Sequence, residues 1–490
     1  MRKIKLILAF FLCVVSINSC SENDLELTNP NQLSPETFFK NEAQVQASVN
    51  AVYANLQTIA LYTRHIFFMM DNMGHENSGN PQLEADKRQY LEFSFDSSHG
   101  AIGNYWDTCY RGINKANFVI GNQEAINEIP ESFMNQATKD KYVGEAKFLR
   151  ALYYFYLVTR YGDVPLITTI PEDGNGFPRS PKEEVYQQII SDLQDAAATL
   201  RAKGVEENGR ATSGAANALL GKVYLFRGEY ELALTTFEKV YGKYSLEDNY
   251  FDNFMEETEH GPESIFEVEY NDDLGDSAKW NSDVSGAGPN EVTFRGQEYG
   301  MFDWFNVYPS DDLLDEYEAG DSRYTDNFYS VGDTYAGGVI EAISNDRRAG
   351  WRKYQNYYKD TNEDQASGIN MKVIRYADVL LMMAECANEV RSQSEAIGYI
   401  NEVRARPSVS LTPLSTSLNK TQTFAAIVHE RAVELAGEQV RFPDLVRWGM
   451  APEVLGKYGF QAGKNEIFPI PNREISSNEN ITPADQNPGY

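Results

Sequence analysis

Leu220-Gly221-Lys222-Val223-Tyr224, followed by Gly228-Glu229-Tyr230, Ala233 and Phe237, is the stretch whose reading decides the fold. Tyr224 stands nine residues before Ala233, and Phe237 follows it by four. On two helices joined near Gly228, this spacing puts small residues at Gly221 and Ala233, where antiparallel helices approach closely. It leaves Tyr224 and Phe237 to fill the space between neighbouring units. Residues 380–403 keep the same register: Leu380, Ala384, Ala387, Ala396, Ile400 and Val403 again fall nine and four apart. One match would be weak, but two predict a scaffold of stacked helical hairpins.

The spacing is that of tetratricopeptide repeats, and the surrounding chain extends it. Ser34-Pro35-Glu36 offers a helix start with proline at the first position, and Val45, Val49, Val52 and Leu56 recur at helical spacing. Further helices are predicted over Tyr105 to Ile120, over Tyr142 to Tyr161 up to the stop Gly162-Asp163-Val164-Pro165, and from Ser180-Pro181 towards Leu200. Residues 250–371 change character. Gly, Asn, Asp and aromatics dominate, Trp280, Trp304 and Trp351 all lie there, and Ser264 to Val268 reads as a short strand. The expected fold class is mainly α, a tetratricopeptide-like helical repeat scaffold with a long loop-rich insertion carrying short strands. The expected divisions are a helical region over 36–249, a ligand-binding insertion over 250–371, a helical repeat region over 372–450 and a loop-rich tail over 451–490.

The N-terminus decides location. Arg2, Lys3 and Lys5 precede the apolar run Leu6 to Val15, and Ser16-Ile17-Asn18-Ser19 lead to Cys20. This layout is a secretory signal peptide over residues 1–19. Its ten apolar residues fall short of the roughly twenty that span a bilayer. Cys20 at the cut resembles the lipobox of bacterial lipoproteins, which implies acylation of Cys20 and an outer-membrane, cell-surface anchor; a plain signal peptide with an incidental cysteine is the alternative. Residues 20–35, polar, acidic and proline-broken, read as a tether. With 43 basic and 72 acidic residues the net charge is -29. Such a field repels phosphates, so no nucleic-acid partner is expected, and membrane contact is left to the lipid. Cys109 and Cys386 remain within the folded part, where two buried thiols are preferred over one disulfide. His occurs five times, scattered, with no metal-ligand spacing, and no cofactor or metal is expected.

A series of motifs spans nearly the whole chain: Tyr105-Trp106-Asp107 with Tyr110-Arg111-Gly112-Ile113-Asn114, Gly144 to Phe155, Arg375 to Met382, Asn401 to Arg406, Arg441 to Gly449, Phe468-Pro469-Ile470-Pro471, and the ending Gln486-Asn487-Pro488-Gly489-Tyr490. In number and order they resemble the SusD/RagB family of Bacteroidota outer-membrane lipoproteins. The resemblance implies a non-enzymatic nutrient binder acting as a hinged lid on a TonB-dependent, SusC-like transporter. A glycan or oligosaccharide is the expected ligand, and a peptide, as in the RagB-like branch, is the alternative. A secreted tetratricopeptide scaffold without a small ligand is the reading from a different class. A glycoside hydrolase would need two carboxylates about 5–10 Å apart, for which the resemblance offers no support. Glu145, Arg150 and Arg375 are expected to be helix-to-helix ion pairs, and Arg441, Asp444, Arg447 and Trp448 to tie the frame together.

Sugars are held by flat aromatic faces framed by carboxylate, amide and guanidinium groups. The resemblance directs attention to loops early in the chain and to the insertion. The candidates there are Asp71, Asn72, Tyr270, Trp280, Asn281, Arg295, Tyr299, Trp304 and Trp351. Core packing is an equal alternative for each tryptophan, and a loop cap for Asp71 and Asn72. Asp272, Asp273 and Asp276 match no calcium-loop spacing and read as a solvated turn.

Overall fold

A computed structural model describes residues 38–171, 174–274 and 290–490. Cys20, the tether, Trp280, Asn281 and Asp276 lie outside the described residues.

Helix α1 (Glu42–Ala54) is capped by Asn41, whose side chain accepts from Gln44 N–H, and the start expected at Ser34-Pro35-Glu36 lies outside the described residues. Its stripe Val45, Val49 and Val52 is buried. α2 (His65–Met73), α3 (Gly100–Gly121), α4 (Gln136–Tyr161) and α5 (Lys182–Thr199) follow. The hairpin α6 (Ser213–Phe226) and α7 (Tyr230–Phe237) carries the first repeat. α8 (Tyr376–Val390) and α9 (Gln393–Arg404) carry the second, and α10 (Lys420–Glu434) and α11 (Arg441–Arg447) follow.

From α3 to α10, each helix packs against the next. α7 and α8 are neighbours in this stack although the whole insertion separates them in sequence. The insertion is therefore an excursion from an unbroken pile of helices. Gly221 is required at the first hairpin: a Cβ there would stand 2.4 Å from the Phe237 ring, an overlap no side chain tolerates.

The strands are short. β1 (Asn77–Gly79) pairs antiparallel with β3 (Val307–Pro309), joining the early chain to the insertion. β2 (Ser264–Val268) pairs with β6 (Met371–Arg375), closing the insertion's base beside α8. β4 (Phe328–Tyr329) pairs with β5 (Gly350–Trp351) inside it. One continuous hydrophobic core runs from Phe39 to Ile470, and a small second core within the insertion gathers Met301, Phe305, Tyr308, Tyr329, Ile340, Ile343 and Tyr357.

Buried ion pairs fasten the frame. Arg150 grips Asp192 with two hydrogen bonds of 2.8 and 2.7 Å, Glu145 meets Arg210 at 2.5 Å, and Arg447 reaches both Glu385 and Asp444. Arg375 bridges Glu263, Glu434 and Glu438 at 2.6–2.7 Å, so these charges are compensated where they are buried. Cys109 and Cys386 are both buried and unpaired.

Candidate functional site

Six of the residues expected at a ligand surface are interior. Asp71 and Asn72 sit in the last turns of α2, Arg295 and Tyr299 on the short helix Arg295–Tyr299, and Trp351 on β5; all five are fully buried. They meet one another. Arg295 Nη1 lies 2.9 Å from Asp71 Oδ2, to which the Tyr299 hydroxyl also donates at 2.9 Å. Asn77 Nδ2 donates to Tyr299 Oη and to Asn72 Oδ1, and Trp351 Nε1 donates to Asn77 Oδ1 at 2.8 Å. The Arg295 guanidinium lies 3.7 Å from the Tyr299 ring centre.

The loop 437–439 closes this cluster: Gln439 N–H donates to Asp71 Oδ1, and Arg295 donates to Gly437 O. Gly437 sits at φ +70, and a Cβ there would lie 3.0 Å from the guanidinium and 3.1 Å from the Trp351 ring. Tyr270, the sixth, hydrogen-bonds through its hydroxyl to Thr63 and is also buried. These contacts hold the insertion against the frame, so Asp71, Asn72, Arg295, Tyr299 and Trp351 lie inside the protein rather than on the open ligand surface expected of them. Tyr270 lies in the wall of a cleft. Most of the polar groups find partners within the protein, as burial demands, while Arg295 Nε has none. The neighbouring Glu76 is pushed up to about 8 by burial and by the Asp71 charge, and its Oε2 has no partner.

Trp304 has the opposite surroundings. It is 40% exposed, and Phe302, two residues before it, is 36% exposed. Phe302 stacks on the partly exposed Tyr335 with centroids 4.2 Å apart and planes at 21°. The second core holds these rings from beneath: Tyr357 packs edge-on to Phe302, and its hydroxyl donates to Asp303 Oδ2 at 2.6 Å. Backbone bonds fix the loop, with Trp304 N–H donating to Gln297 O and Phe305 N–H to Gly300 O. On the adjoining side Asn80 donates to Phe305 O, and Arg64 pairs with the half-exposed Glu84. Val331 and Val339, on the hairpin that carries Tyr335, are also exposed. Phe302 and Tyr335 thus form a stacked, partly exposed pair, and Trp304, two residues on, adds a third partly exposed ring.

Phe302 and Tyr335 escaped the sequence reading, which took Tyr270, Tyr299 and the tryptophans as its aromatic candidates. The available signals were the aromatic run Phe302-Asp303-Trp304-Phe305 and the glycine-bounded hairpin around Tyr335. A cleft of about 550 Å³ opens near Tyr270, walled by Gln57, Glu259, Glu269, Asn271 and Glu291. His260 there lies between Glu267 and Glu269 at 2.8 and 2.7 Å, and these carboxylates hold it protonated up to about 9. Among the described residues no cluster of His, Cys, Asp and Glu has a metal-binding arrangement.

These features define a helical-repeat protein with an inserted, aromatic-faced subregion. The chain belongs to the SusD/RagB family. The model of the SusD family matches residues 321–466, and one described as "Starch-binding associating with outer membrane" matches residues 24–225. SusD-like protein P2 of Formosa agariphila is 28% identical over 525 residues, covering 100% of both chains. A laminarin-binding SusD-like protein of known structure is 30% identical with a TM-score of 0.77, over 92% of this chain and 100% of that one. A SusD superfamily protein from Bacteroides vulgatus superposes with a TM-score of 0.80 at 25% identity, over 93% of this chain and 100% of its own.

Proposed function

We propose that this chain is a glycan-binding lipoprotein of the outer-membrane surface, anchored through Cys20, and that it takes its ligand on the platform of Phe302, Trp304 and Tyr335. The observation that carries the reading is this set of exposed ring faces on a rigid loop, since sugar rings lay their C–H-rich faces on such surfaces. The relatives support it, one being named for laminarin binding and one family description naming starch. The role is capture rather than catalysis. The protein delivers its ligand to a TonB-dependent transporter of the SusC type as a hinged lid, with the tether supplying a high effective concentration.

The test is binding of residues 21–490 to a panel of polysaccharides, oligosaccharides and peptides. A saturable response to one glycan class that is lost in Trp304→Ala, with the melting temperature kept, supports the reading. A response to peptides alone moves the protein to the RagB-like branch. Reducing ends released from the bound glycan would overturn the non-catalytic role. Cys20→Ala is expected to release the full chain from membranes with binding intact, and co-purification with a barrel partner tests the lid.

A further inference from the structure

Nearly every buried arginine of the frame faces a carboxylate, as Arg150, Arg375 and Arg431 do. Arg160, at the end of α4 and only partly buried, does not. Its side chain makes no hydrogen bond or ion pair among the described residues, and its Nε is buried without a partner. The groups that surround it electrostatically are the hydroxyls of Tyr105, Tyr156, Tyr62 and Tyr186. Burial holds this guanidinium below its ordinary pKa, with no anion to offset the cost.

Arg160 lines a cleft of about 490 Å³ between the end of α4, α11 and the C-terminal tail. Arg179 and Lys182 line it too. Arg179 is spent on neutral partners: it donates to the carbonyls of Asp163 and Asp485 and to Asn487 Oδ1. The acidic groups of the wall are already engaged, Asp163 accepting from Lys182 N–H and Glu466 from Gly463 N–H. On its inner side Arg160 borders a cavity of about 60 Å³, where the carboxylates Glu438 and Asp444 are held by Arg375 and Lys353 and by Arg431 and Arg447. In a chain of net charge -29, Arg160, Arg179 and Lys182 gather here beside the carboxylates of Asp163 and Glu466, and Arg160 brings a donor fork with no partner. The cleft is of the size of small-molecule sites, about 300–1,000 Å³, and larger than a bare inorganic ion needs. The rings of Tyr186 and Phe226 supply apolar faces in its wall.

We propose that this cleft binds the oxyanion of an acidic saccharide, a carboxylate or a sulfate ester, with Arg160 as its anchor. The site is separate from the Trp304 platform and does not depend on what that platform binds. Residues 21–490 would be titrated calorimetrically with glucuronate, galactose 6-sulfate and glucose. Saturable binding of one or both anionic sugars, weakened by added salt and absent for glucose, is the expected result, and the stronger of the two identifies the oxyanion. Arg160→Gln is expected to weaken that binding by about tenfold or more, the worth of one charged hydrogen-bonding group. Its melting temperature should hold, since no internal hydrogen bond is lost and the charge removed is unpaired and only partly buried. Trp304→Ala should leave the anion response intact, separating failure of this site from failure of the platform. Equal binding of glucose, no binding of either anion by the unaltered protein, or an unchanged affinity in Arg160→Gln would each overturn the proposal.

Discussion

Tyr299 and Trp304 are five residues apart and have opposite fates. Tyr299 is fully buried, stacked on a guanidinium, with its hydroxyl bonded on both sides. Trp304 stands on a loop fixed by its own backbone and turns part of its ring outward. One cluster spends its polar groups on itself and becomes a brace. The other satisfies its backbone and leaves ring faces for something else. Chemistry of the same kind is structural or ligand-facing according to whether its partners come from within the chain.

The largest expected effect lies in the brace. Arg295→Met leaves Asp71 buried without its cation and should cost about 3–5 kcal/mol in urea denaturation; a loss below about 1 kcal/mol would erase the distinction between the two regions. Stability should also depend on pH, through Glu76 beside the brace, Glu363 next to Asp303 of the platform loop, and His260 in the cleft. Glu76 and Glu363 are pushed up to about 8, mainly by burial, and His260 up to about 9 by its two glutamates. The folded protein keeps protons that the unfolded chain has released, so stability falls as pH rises from the unfolded carboxylate range through 8, and the His260 contribution, full below about 6.5, is lost through 9. Glu76→Gln should flatten this decline and stabilise the protein at pH 9 by on the order of 1–3 kcal/mol. A melting temperature with the unaltered pH dependence would refute the assignment.

On the platform the balance reverses. Trp304→Ala should weaken glycan binding by about tenfold, near 1.4 kcal/mol, while changing folding stability by about 1 kcal/mol or less. If stability falls and affinity does not, Trp304 is a second brace. The smallest effect is expected from Tyr335→Ala, which removes a ring pair worth about 0.5–1.5 kcal/mol, seen as a small loss in both measurements.

The stack of helices was legible because its signal is periodic. Gly221, Tyr224, Ala233 and Phe237 name a hairpin by spacing alone, and the ion-pair roles of Glu145 and Arg150 follow from burial on such helices, whereas Arg375 ends β6 and pairs from a strand. Burial of the two thiols was legible on the same ground. The cap of α1 at Asn41 was not singled out, because Asn serves turns as readily as caps and only packing chooses between them. The candidate site was the least legible part. Asp71, Arg295, Tyr299 and Trp351 were expected at a ligand surface, since nothing local to any of them tells that loop 437–439 closes over them. Phe302 and Tyr335 become a pair only through the second core, which sequence spacing does not encode.

That closing loop also sets an order of assembly. Asp71 meets Gln439 across 368 residues of chain, Asn77 meets Trp351 across 274, and Arg295 meets Gly437 across 142. A polypeptide emerging from its N-terminus presents α2 long before those partners exist, and contacts of such separation are slow to form. Arg295, Tyr299 and β3 can reach the early chain first, but Asp71 gains its last partner only when Gln439 is available. The brace is thus completed only when almost all of the chain has been delivered.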